Sequence, residues 1–408
     1  MRTLALVVPE YRTPEARGGG LAAVADFVAR AVCGPETPAR DRWDVRVIAP
    51  RMYHLAAEHR SVLRPNSLLR GPTAHRRPGT DPAVWDVGTS MPEIEANRYR
   101  PRRALSELVN ACDAAVVVAG TPAIGNVMRD VSIPWVLKVA TLVEEERAGR
   151  LVDARGIRGV LLRRATNSTA RLDRRALHLP AAVVTLNDSM AARLRQLTSR
   201  PVHLLPTGVD TVRFRPADRW APDGPITMVS RLNDPRKDVP TLLHAYAVAR
   251  ARHGVENALV LAGRHALPAE HRALIAELRL DEHVRVVESP SDDDLAELLR
   301  AASVFTSASR EEGLGVVFLE AMSAGLPVVT TATRGASYAV PAGAGQIVPF
   351  GPRLVDDLAA ALARAVQDVP LAVERGQTAR LHVVEHFSLP VAEQQWRSLL
   401  EDVLGGAR

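Results

Sequence analysis

The stretch SASREEGLGVVFLEAMSAGLPVVTT, residues 307–331, decides the fold of this 408-residue chain. It follows an apolar run, residues 303–306, that predicts a β-strand, and it ends in a second predicted strand, residues 328–331. Between them we predict a glycine-containing loop and a short helix to about Ala324, with Gly325 in its left-handed C-terminal position. A strand, a helix and a parallel strand are the repeating unit of a doubly wound α/β domain.

The same alternation covers the rest of the chain. Helical spacing of apolar residues predicts helices at 20–33, 238–253 and 389–404. Further strands are predicted at 3–8, 45–49, 84–87, 114–118, 135–139, 182–186, 226–229, 258–261 and 284–287.

The segment between the two halves, residues 206–225, is rich in Pro, Gly and Asp without periodicity and predicts a linker. We therefore expect an N-terminal Rossmann-like domain at 1–210, a C-terminal one at 211–388 and a final helix within 389–408 that packs back on the first. Doubly wound sheets bind ligands at the carboxyl ends of their strands, so the site is expected in a cleft between the domains.

The basic residues exclude several chemistries. Of the 52, only Lys138 and Lys237 are lysines, and neither follows glycine, so the chain has no P-loop. Schiff-base chemistry has just these two candidate amines.

The two cysteines make no disulfide framework and suggest no zinc site. We find no signal peptide and no apolar run long enough to span a bilayer, and expect a cytoplasmic protein that binds no nucleic acid.

Residues 307–331 also carry candidate chemistry. Glycines let a ligand approach the backbone, and the amides of Val316 and Val317 at the helix start favour an anion. Glu312 and Glu320 add a pair of acceptors for hydroxyl groups. Together these features suit a sugar nucleotide.

A second stretch, TMVSRLNDPRKDVPTLLHAYA, covers residues 227–247. Arg231 follows a predicted strand, and Lys237 stands at the start of an amphipathic helix. A guanidinium and an ammonium at these places can bind one pyrophosphate.

The two stretches, in this order, resemble the C-terminal domain of retaining GT-B glycosyltransferases of family 4. The glycines at 18–20, PTGVD at 206–210, Gly263 and the stretch from His386 to Trp396 extend the resemblance over nearly the whole chain. The residues that fit the second motif are Ser309, Glu312, Gly313, Gly315, Glu320, Ala321, Met322, Gly325, Pro327 and Val328.

The resemblance implies roles for these residues. Arg231, Lys237 and Glu312 would be catalytic, with the two cations on the donor pyrophosphate and Glu312 on the transferred sugar, while Glu320 would bind the ribose. The other expected donor contacts are Gly19, Gly20, Ser230, Arg264, Gly313, Leu314, Gly315, Val316 and Val317. The implied reaction is metal-independent, cofactor-free retaining transfer from a nucleotide-diphosphate sugar, expected to be a uridine one, to a small-molecule acceptor such as a natural product.

The chain departs from the family in several places. Ser230 and Asp238 stand where glycines are usual, and Thr207 replaces an asparagine. The family's histidine after the strand at 135–139 is missing, because Ala140 or Thr141 occupies its place. Lys138 or Thr141 substitutes for it, or the donor lacks or repositions the hydroxyl that the histidine contacts.

One acidic cluster and one basic segment are candidates for binding an acceptor or a partner. Glu144 and Glu145, with Glu146, lie where an acceptor is expected, and a cationic acceptor would suit them; Lys138 and Thr141 are further acceptor-side candidates. Residues 150–180 hold eight arginines and two aspartates. We favour a solvated helix or an irregular excursion near the cleft there over a surface for membrane or an anionic acceptor.

Other interpretations are less favoured. Residues 18–23 fit a dinucleotide fingerprint, but some nine residues separate them from the strand, and Arg51 rather than an acid follows the second strand. Asp292–Asp294 could hold a metal, although a capped helix start fits better. The rival functions are a nucleotide-sugar epimerase, a peripheral-membrane transferase acting on a lipid or polysaccharide, and a non-catalytic sensor.

Overall fold

The computed structural model describes residues 2–12, 20–34, 42–148, 151 and 154–404. The chain divides into two compact units, the first formed by Met1–Leu205 with Glu393–Arg408 and the second by Pro206–Ala392. Each unit is built on one sheet, of eight strands in the first and six in the second. No helix within the described ranges is both long and apolar enough to cross a bilayer.

The first unit has the strand order β3-β4-β2-β1-β5-β6-β7-β8, in which only the edge strand β3 is antiparallel. Because β1 pairs with both β2 and β5, the winding reverses at β1. Its strands are β1 (Arg2–Val7), β2 (Trp43–Pro50), β3 (Ala74–Arg76), β4 (Ala83–Val87), β5 (Ala114–Ala119), β6 (Trp135–Val139), β7 (Ala182–Thr185) and β8 (Val202–Leu204).

Helices cover both faces of this sheet, and its central strand β5 is an uninterrupted apolar run in which every residue is buried. A 3₁₀ helix, Pro122–Met128, follows β5. The α-helices are α1 (Gly20–Cys33), α2 (Pro65–Leu68), α3 (Glu95–Arg98), α4 (Arg103–Asn110), α5 (Val143–Glu146), α6 (Gly156–Ala176) and α7 (Asp188–Arg195).

The second unit repeats the plan with the order β11-β10-β9-β12-β13-β14, all parallel, and the winding reverses at β9. Its strands are β9 (Ile226–Val229), β10 (Leu259–Gly263), β11 (Val284–Glu288), β12 (Val304–Ser307), β13 (Val328–Thr331) and β14 (Gly345–Val348). Its helices are α8 (Val239–His253), α9 (Ala269–Glu277), α10 (Asp292–Ala301), α11 (Val316–Ser323), α12 (Arg334–Ala339), α13 (Leu354–Gln367) and α14 (Val369–His386).

Every predicted strand is present, and the α/β prediction is confirmed. Three strands were not predicted, β3, β8 and β14. They are short, lie at sheet edges and, except for Val348, carry exposed or half-buried residues without an apolar run. The interpretation of Asp292–Asp294 as a helix start is also confirmed. Ser291 caps α10 through a reciprocal capping box with Asp294.

The last helix, α15 (Leu389–Leu404), joins the first unit from Glu393 onward. Trp396 is fully buried, and the Lys138 ammonium lies 5.7 Å from the centre of its ring. The Glu393 carboxylate is 2.8 Å from the Arg30 guanidinium of α1. These contacts attach the end of the chain to the sheet on which the chain begins.

Replacing Trp396 with alanine should lower the free energy of unfolding of the first unit by about 3–5 kcal/mol, because it empties a fully buried aromatic site. Urea denaturation followed by circular dichroism measures the loss. Leu161→Ala is the matched control, since that side chain lies on α6 of the same unit and is 59% exposed, and its effect should stay within about 0.5 kcal/mol. Equal effects of the two substitutions would contradict the packing described for α15.

Candidate functional site

Two loops of the second unit lie side by side. One leaves β9 and runs through residues 230–238 to α8, and the other leaves β12 and runs through residues 308–315 to α11. Because β9 and β12 are neighbouring parallel strands, the two loops emerge at the same carboxyl edge of the sheet. This edge is where doubly wound folds bind their ligands.

A charged contact joins the loops. The Lys237 ammonium donates a hydrogen bond to the Glu312 carboxylate, and the two side chains are only 11% and 14% exposed. The Glu312 carboxylate also accepts a 3.5 Å hydrogen bond from the hydroxyl of Ser309, which is itself buried. The structure therefore brings together two residues that the sequence predicted as catalytic, 75 positions apart.

A second pair of contacts flanks this one. The Arg310 amide donates a 2.8 Å hydrogen bond to the Arg236 carbonyl, and the Arg310 guanidinium lies 2.7 Å from the Asp238 carboxylate. Arg236 and Asp238 are the residues on either side of Lys237, and Arg310 precedes Glu312 by two positions. The backbone hydrogen bond to Arg236 and the ion pair with Asp238 thus lie on either side of the Lys237–Glu312 contact.

Asp238 occupies the position where the family usually has glycine, and its backbone shows why. Its φ is +45°, in the left-handed region that side chains disfavour. The carboxylate offsets this strain in part, since it accepts a 3.4 Å hydrogen bond from the Thr241 amide and so caps α8. Aspartate is among the few residues that combine a tolerated left-handed backbone with a helix cap.

Arg231 follows β9, as predicted, and its guanidinium is half-exposed at the same edge. It lies 2.8 Å from the Asp234 carboxylate, which also accepts hydrogen bonds from the Arg236 guanidinium. Partial burial opposes the ionised form of Asp234, but the hydrogen bonds from Arg236 and the charge of Arg231 outweigh it and hold the pKa of this carboxyl below its usual range. Asp234 therefore stays ionised and holds the guanidinium of Arg231, which is predicted to bind the pyrophosphate.

The start of α11 requires glycine at one position. Gly315 is the N-cap with φ +70°, and a Cβ there would meet the Phe318 ring at 2.4 Å. The first-turn amides of Val316 and Val317 have no carbonyl partner within the helix, so they remain available to an anion. The neighbouring Leu314 is buried, while a Cβ on Gly313 would meet open space.

Glu320 lies on the second turn of α11 and is half-buried. Burial, with a smaller contribution from the charge of Asp292, raises the pKa of this carboxyl to about 7. A carboxyl that titrates near neutrality accepts hydrogen bonds from hydroxyl groups when it is ionised. When it is protonated, it can also donate one hydrogen bond to a hydroxyl oxygen.

Ser230 and Arg264 are the remaining predicted donor contacts of the second unit. A Cβ on Gly263 would lie 1.8 Å from the Ser230 carbonyl, so β9 and β10 approach closely where they end. The buried Ser230 hydroxyl has no hydrogen-bond partner among the described residues. Arg264 is exposed, and its carbonyl accepts a 2.7 Å hydrogen bond from the Ser289 hydroxyl.

In the first unit, Gly19 lies outside the described residues, and Gly20 begins α1. The acceptor-side candidates Thr141, Glu144 and Glu145 follow β6 and are half-buried. Glu144 lies 3.3 Å from the Arg174 guanidinium of α6.

Lys138 is placed differently from its prediction as an acceptor-side residue. It is 2% exposed, and its ammonium donates a 3.0 Å hydrogen bond to the Leu205 carbonyl rather than facing solvent. Burial lowers the pKa of its amine to about 7. The side chains of a strand alternate between its two faces, and the Lys138 side chain points to the face that α15 covers.

Sequence reasoning missed one bridging residue in the first unit. The Asp173 carboxylate of α6 accepts hydrogen bonds from the Ala123 amide at 2.7 Å and the Val143 amide at 2.8 Å. It thereby fixes the segments that follow β5 and β6. Burial raises the pKa of this carboxyl to about 6 despite these hydrogen bonds. An aspartate inside an arginine-rich helix gives no sequence signal of such a role.

One group of described side chains has the spacing of a metal site, namely Glu58, His75 and Asp86, whose ligand atoms lie within 4.8 Å of one another. The Arg77 guanidinium donates to both oxygens of Asp86, at 2.6 and 2.7 Å, and Arg51 lies 3.7 Å from both carboxylates. Two guanidinium groups already balance the charge that would attract a cation, so these residues fit an ion-pair network better.

The titration of Glu320 can be tested through stability. Its carboxyl holds a proton in the folded state up to about pH 7, above the ordinary glutamate value of about 4.3, so the native state loses stability as the pH rises between these values. Glu320→Gln supplies a permanently neutral isostere. We expect a higher Tm than wild type at pH 8 and a much smaller difference at pH 5; the same difference at both pH values would contradict the raised pKa.

Residues 215–382 match the family model described as glycosyl transferases group 1. The chain is 30% identical over 312 residues to an MMP alpha-(1->4)-mannosyltransferase of Mycolicibacterium hassiacum, covering 75% of this chain and 74% of the relative. It is 28% identical to a GDP-mannose:cellobiosyl-diphosphopolyprenol alpha-mannosyltransferase of Komagataeibacter xylinus, of which it covers 57%, with 55% of this chain aligned.

Solved structures show the same architecture. Sucrose-phosphate synthase from Thermosynechococcus elongatus superposes with a TM-score of 0.73 at 19% identity over all of both chains. WaaG, a glycosyltransferase involved in lipopolysaccharide biosynthesis, superposes with a TM-score of 0.65 at 20% identity, covering 99% of this chain and all of that one. At such low identity these likenesses show the fold alone, which is GT-B.

Proposed function

Because the chain belongs to the glycosyl transferases of group 1 and is a glycosyltransferase, we propose that it transfers mannose from GDP-mannose to a hydroxyl group with retention of configuration. The proposal of mannose rests on the relatives, several of which are named mannosyltransferases. Where those names give a donor, it is GDP-mannose. For this reason we prefer it to the uridine donor that the family resemblance led us to expect.

The observation that carries the proposal is the hydrogen bond between Lys237 and Glu312, close to the first-turn amides of α11. An ammonium has three donors, so Lys237 can keep its hydrogen bond to Glu312 and still bind a phosphate oxygen. Glu312 in turn keeps lone pairs for a sugar hydroxyl. One contact would in this way orient both the leaving phosphate and the transferred sugar.

The proposed chemistry develops negative charge on the β-phosphate as its bond to the sugar breaks. Arg231, Lys237 and the amides of Val316 and Val317 would stabilise that charge, and Glu320 would accept hydrogen bonds from the ribose hydroxyls. The acceptor attacks from the face that the phosphate leaves, and its proton passes to the departing phosphate oxygen. With this charge balanced by protein groups, we propose that the reaction needs no metal ion.

For the acceptor we propose a carbohydrate or cyclitol hydroxyl. The names of relatives include a cellobiosyl-diphosphopolyprenol and D-inositol 3-phosphate as the compounds they act on. The acceptor-side residues would be Thr141, Glu144 and Glu145. Lys138 is excluded from this role because it is buried against Leu205. A natural-product acceptor stays an alternative that an acceptor screen would test.

A donor panel tests the proposal directly. We expect GDP-mannose to raise the Tm more than UDP-, ADP- or dTDP-sugars and to support transfer in EDTA, with an α-linked product seen by NMR. GDP-glucose is the matched control for the sugar. A larger shift with a uridine sugar, or a β-linked product, would contradict the donor or the stereochemistry respectively.

Arg231→Ala should lower kcat by about 10²-fold, because one preorganised donor to a developing oxyanion contributes about 3–4 kcal/mol. Steady-state kinetics at saturating donor measure the loss. Arg252→Ala removes an exposed guanidinium near the C-terminal end of α8 that pairs with Asp356 of α13, and it should leave kcat unchanged. If Arg231→Ala raised only the KM for the donor, the residue would bind the ground state and not the transition state.

A further inference from the structure

One carboxylate of the first unit caps two helix starts. The 3₁₀ helix Pro122–Met128 follows β5, and α5 follows β6, but neither is capped by the side chain of its own N-cap residue. Asp173 of α6 supplies both caps. Its Oδ1 accepts the 2.7 Å hydrogen bond from the Ala123 amide, and its Oδ2 accepts the 2.8 Å hydrogen bond from the Val143 amide. Each carboxylate oxygen therefore holds a different segment.

The two segments that Asp173 joins also contact each other. The Gly120 carbonyl, after β5, accepts hydrogen bonds from the Ala140 amide at 3.1 Å and the Thr141 amide at 3.0 Å, after β6. All three acceptor-side candidates lie on this second segment, Thr141 two residues before Val143 and the two glutamates directly after it on α5. Their backbone is therefore positioned by one carbonyl and one carboxylate.

The segment after β5 has a second buried attachment to α6. The Asn126 side chain donates hydrogen bonds to a carbonyl of its own helix at 2.8 Å and to a carbonyl of α6 at 2.9 Å. The neighbouring attachment on α5 is an ion pair of Glu144 with Arg174, whose side chains are 40% and 60% exposed, and such exposed pairs contribute little. If Asp173 kept only one acceptor oxygen, the Val143 amide would therefore be the one released.

The surroundings of Asp173 oppose its charge. The residue is 3% exposed, and burial, with smaller contributions from the charges of Glu146 and Glu144, raises the pKa of its carboxyl to about 6 although both amides favour the ionised form. Tyr99 also lies close, and burial raises its pKa to about 12, while the 3₁₀ helix brings no titratable side chain. Near pH 6, Asp173 therefore changes from two good acceptor oxygens to one.

A pair of opposite charges lies one turn earlier on α6. The Thr169 hydroxyl donates a 3.1 Å hydrogen bond to the Glu95 carboxylate of α3, which also accepts a hydrogen bond from the Arg147 guanidinium at the end of α5. These contacts use neither oxygen of Asp173, so they do not replace the hydrogen bond to Val143.

We propose that Asp173 is a positioning residue of the transfer reaction, whose ionised carboxylate holds the segment after β6 in the geometry that binds the acceptor. When the carboxyl is neutral, one oxygen bears the proton, so the Val143 amide loses its partner and acceptor binding weakens. The inference rests on the proposed function in one respect, the assignment of the acceptor to this segment.

Amide hydrogen exchange tests the structural part without any substrate. Asp173→Asn is isosteric and has one acceptor oxygen at every pH. At pH 8, residues 139–146 should exchange about tenfold faster in the variant than in wild type, while residues 119–128 should change less than about twofold. At pH 5, where the wild-type carboxyl is also mostly neutral, the two proteins should nearly agree.

Kinetics test the functional part, with GDP-mannose as the sugar donor and methyl α-D-mannopyranoside or myo-inositol as the acceptor probe. At pH 8, Asp173→Asn should raise the KM for the probe about tenfold and change kcat and the KM for GDP-mannose less than about twofold. The wild-type KM for the probe should rise as the pH falls through about 6, and that of the variant should not.

Asp130→Asn is the matched control, since it makes the same charge change in the same unit on a side chain that is 61% exposed and lies near Arg129. It should alter neither exchange nor kinetics. Stability separates positioning from a purely structural role. Burial of the ionised carboxylate costs native stability above pH 6, so Asp173→Asn should not lower the Tm at pH 8.

Equal exchange of wild type and Asp173→Asn at pH 8 overturns the proposal. So does an unchanged KM for the probe, or a Tm at pH 8 that falls together with kcat, because the residue would then support the fold alone. If wild type transfers mannose to neither probe, or if GDP-mannose does not raise its Tm, the proposed function fails instead. The exchange result, which needs no substrate, then decides whether Asp173 holds the segment.

Discussion

The hydrogen bond between the Lys237 ammonium and the Glu312 carboxylate sets the geometry of the second unit's carboxyl edge. It joins loops that leave neighbouring strands, and each loop leads into a helix that carries further site residues. The position of α11, and with it the amides at its start and Glu320 on its second turn, depends on where Glu312 is held. The site therefore depends on the relative position of the two loops, and neither loop provides it alone.

Asp238 and Arg310 hold the two loops together, although the backbone of Asp238 is strained. The backbone of Asp238 has a left-handed conformation that glycine would adopt freely. In exchange its carboxylate caps α8 and lies 2.7 Å from Arg310, which brackets the Lys237–Glu312 contact. Glycine would relieve the strain and lose both contacts, so this chain combines a less favourable backbone with a more firmly connected pair of loops.

The sequence predicted what depends on local pattern. Apolar runs located the buried strands, and motif spacing located Lys237 and Glu312, because those signals lie within a few residues of one another. It did not predict where side chains point across the fold. Lys138 follows the pattern of a strand-end residue near a ligand, yet its direction depends on a helix more than 250 residues away. Asp173 was missed for the same reason, since its partners are amides of two distant loops.

The two lysines of this arginine-rich chain mark places where guanidinium and ammonium differ physically. Lys138 is buried with a pKa of about 7, so it can reach its place by losing a proton, which an arginine does not do in proteins. Lys237 is mostly buried between a carboxylate and the expected position of a phosphate, where a compact charge with three donors can serve both. A planar guanidinium would occupy more of that space with fixed directions. The low lysine content, which first indicates only a compositional bias, thus singles out one position that suits a removable charge and one that suits a compact charge.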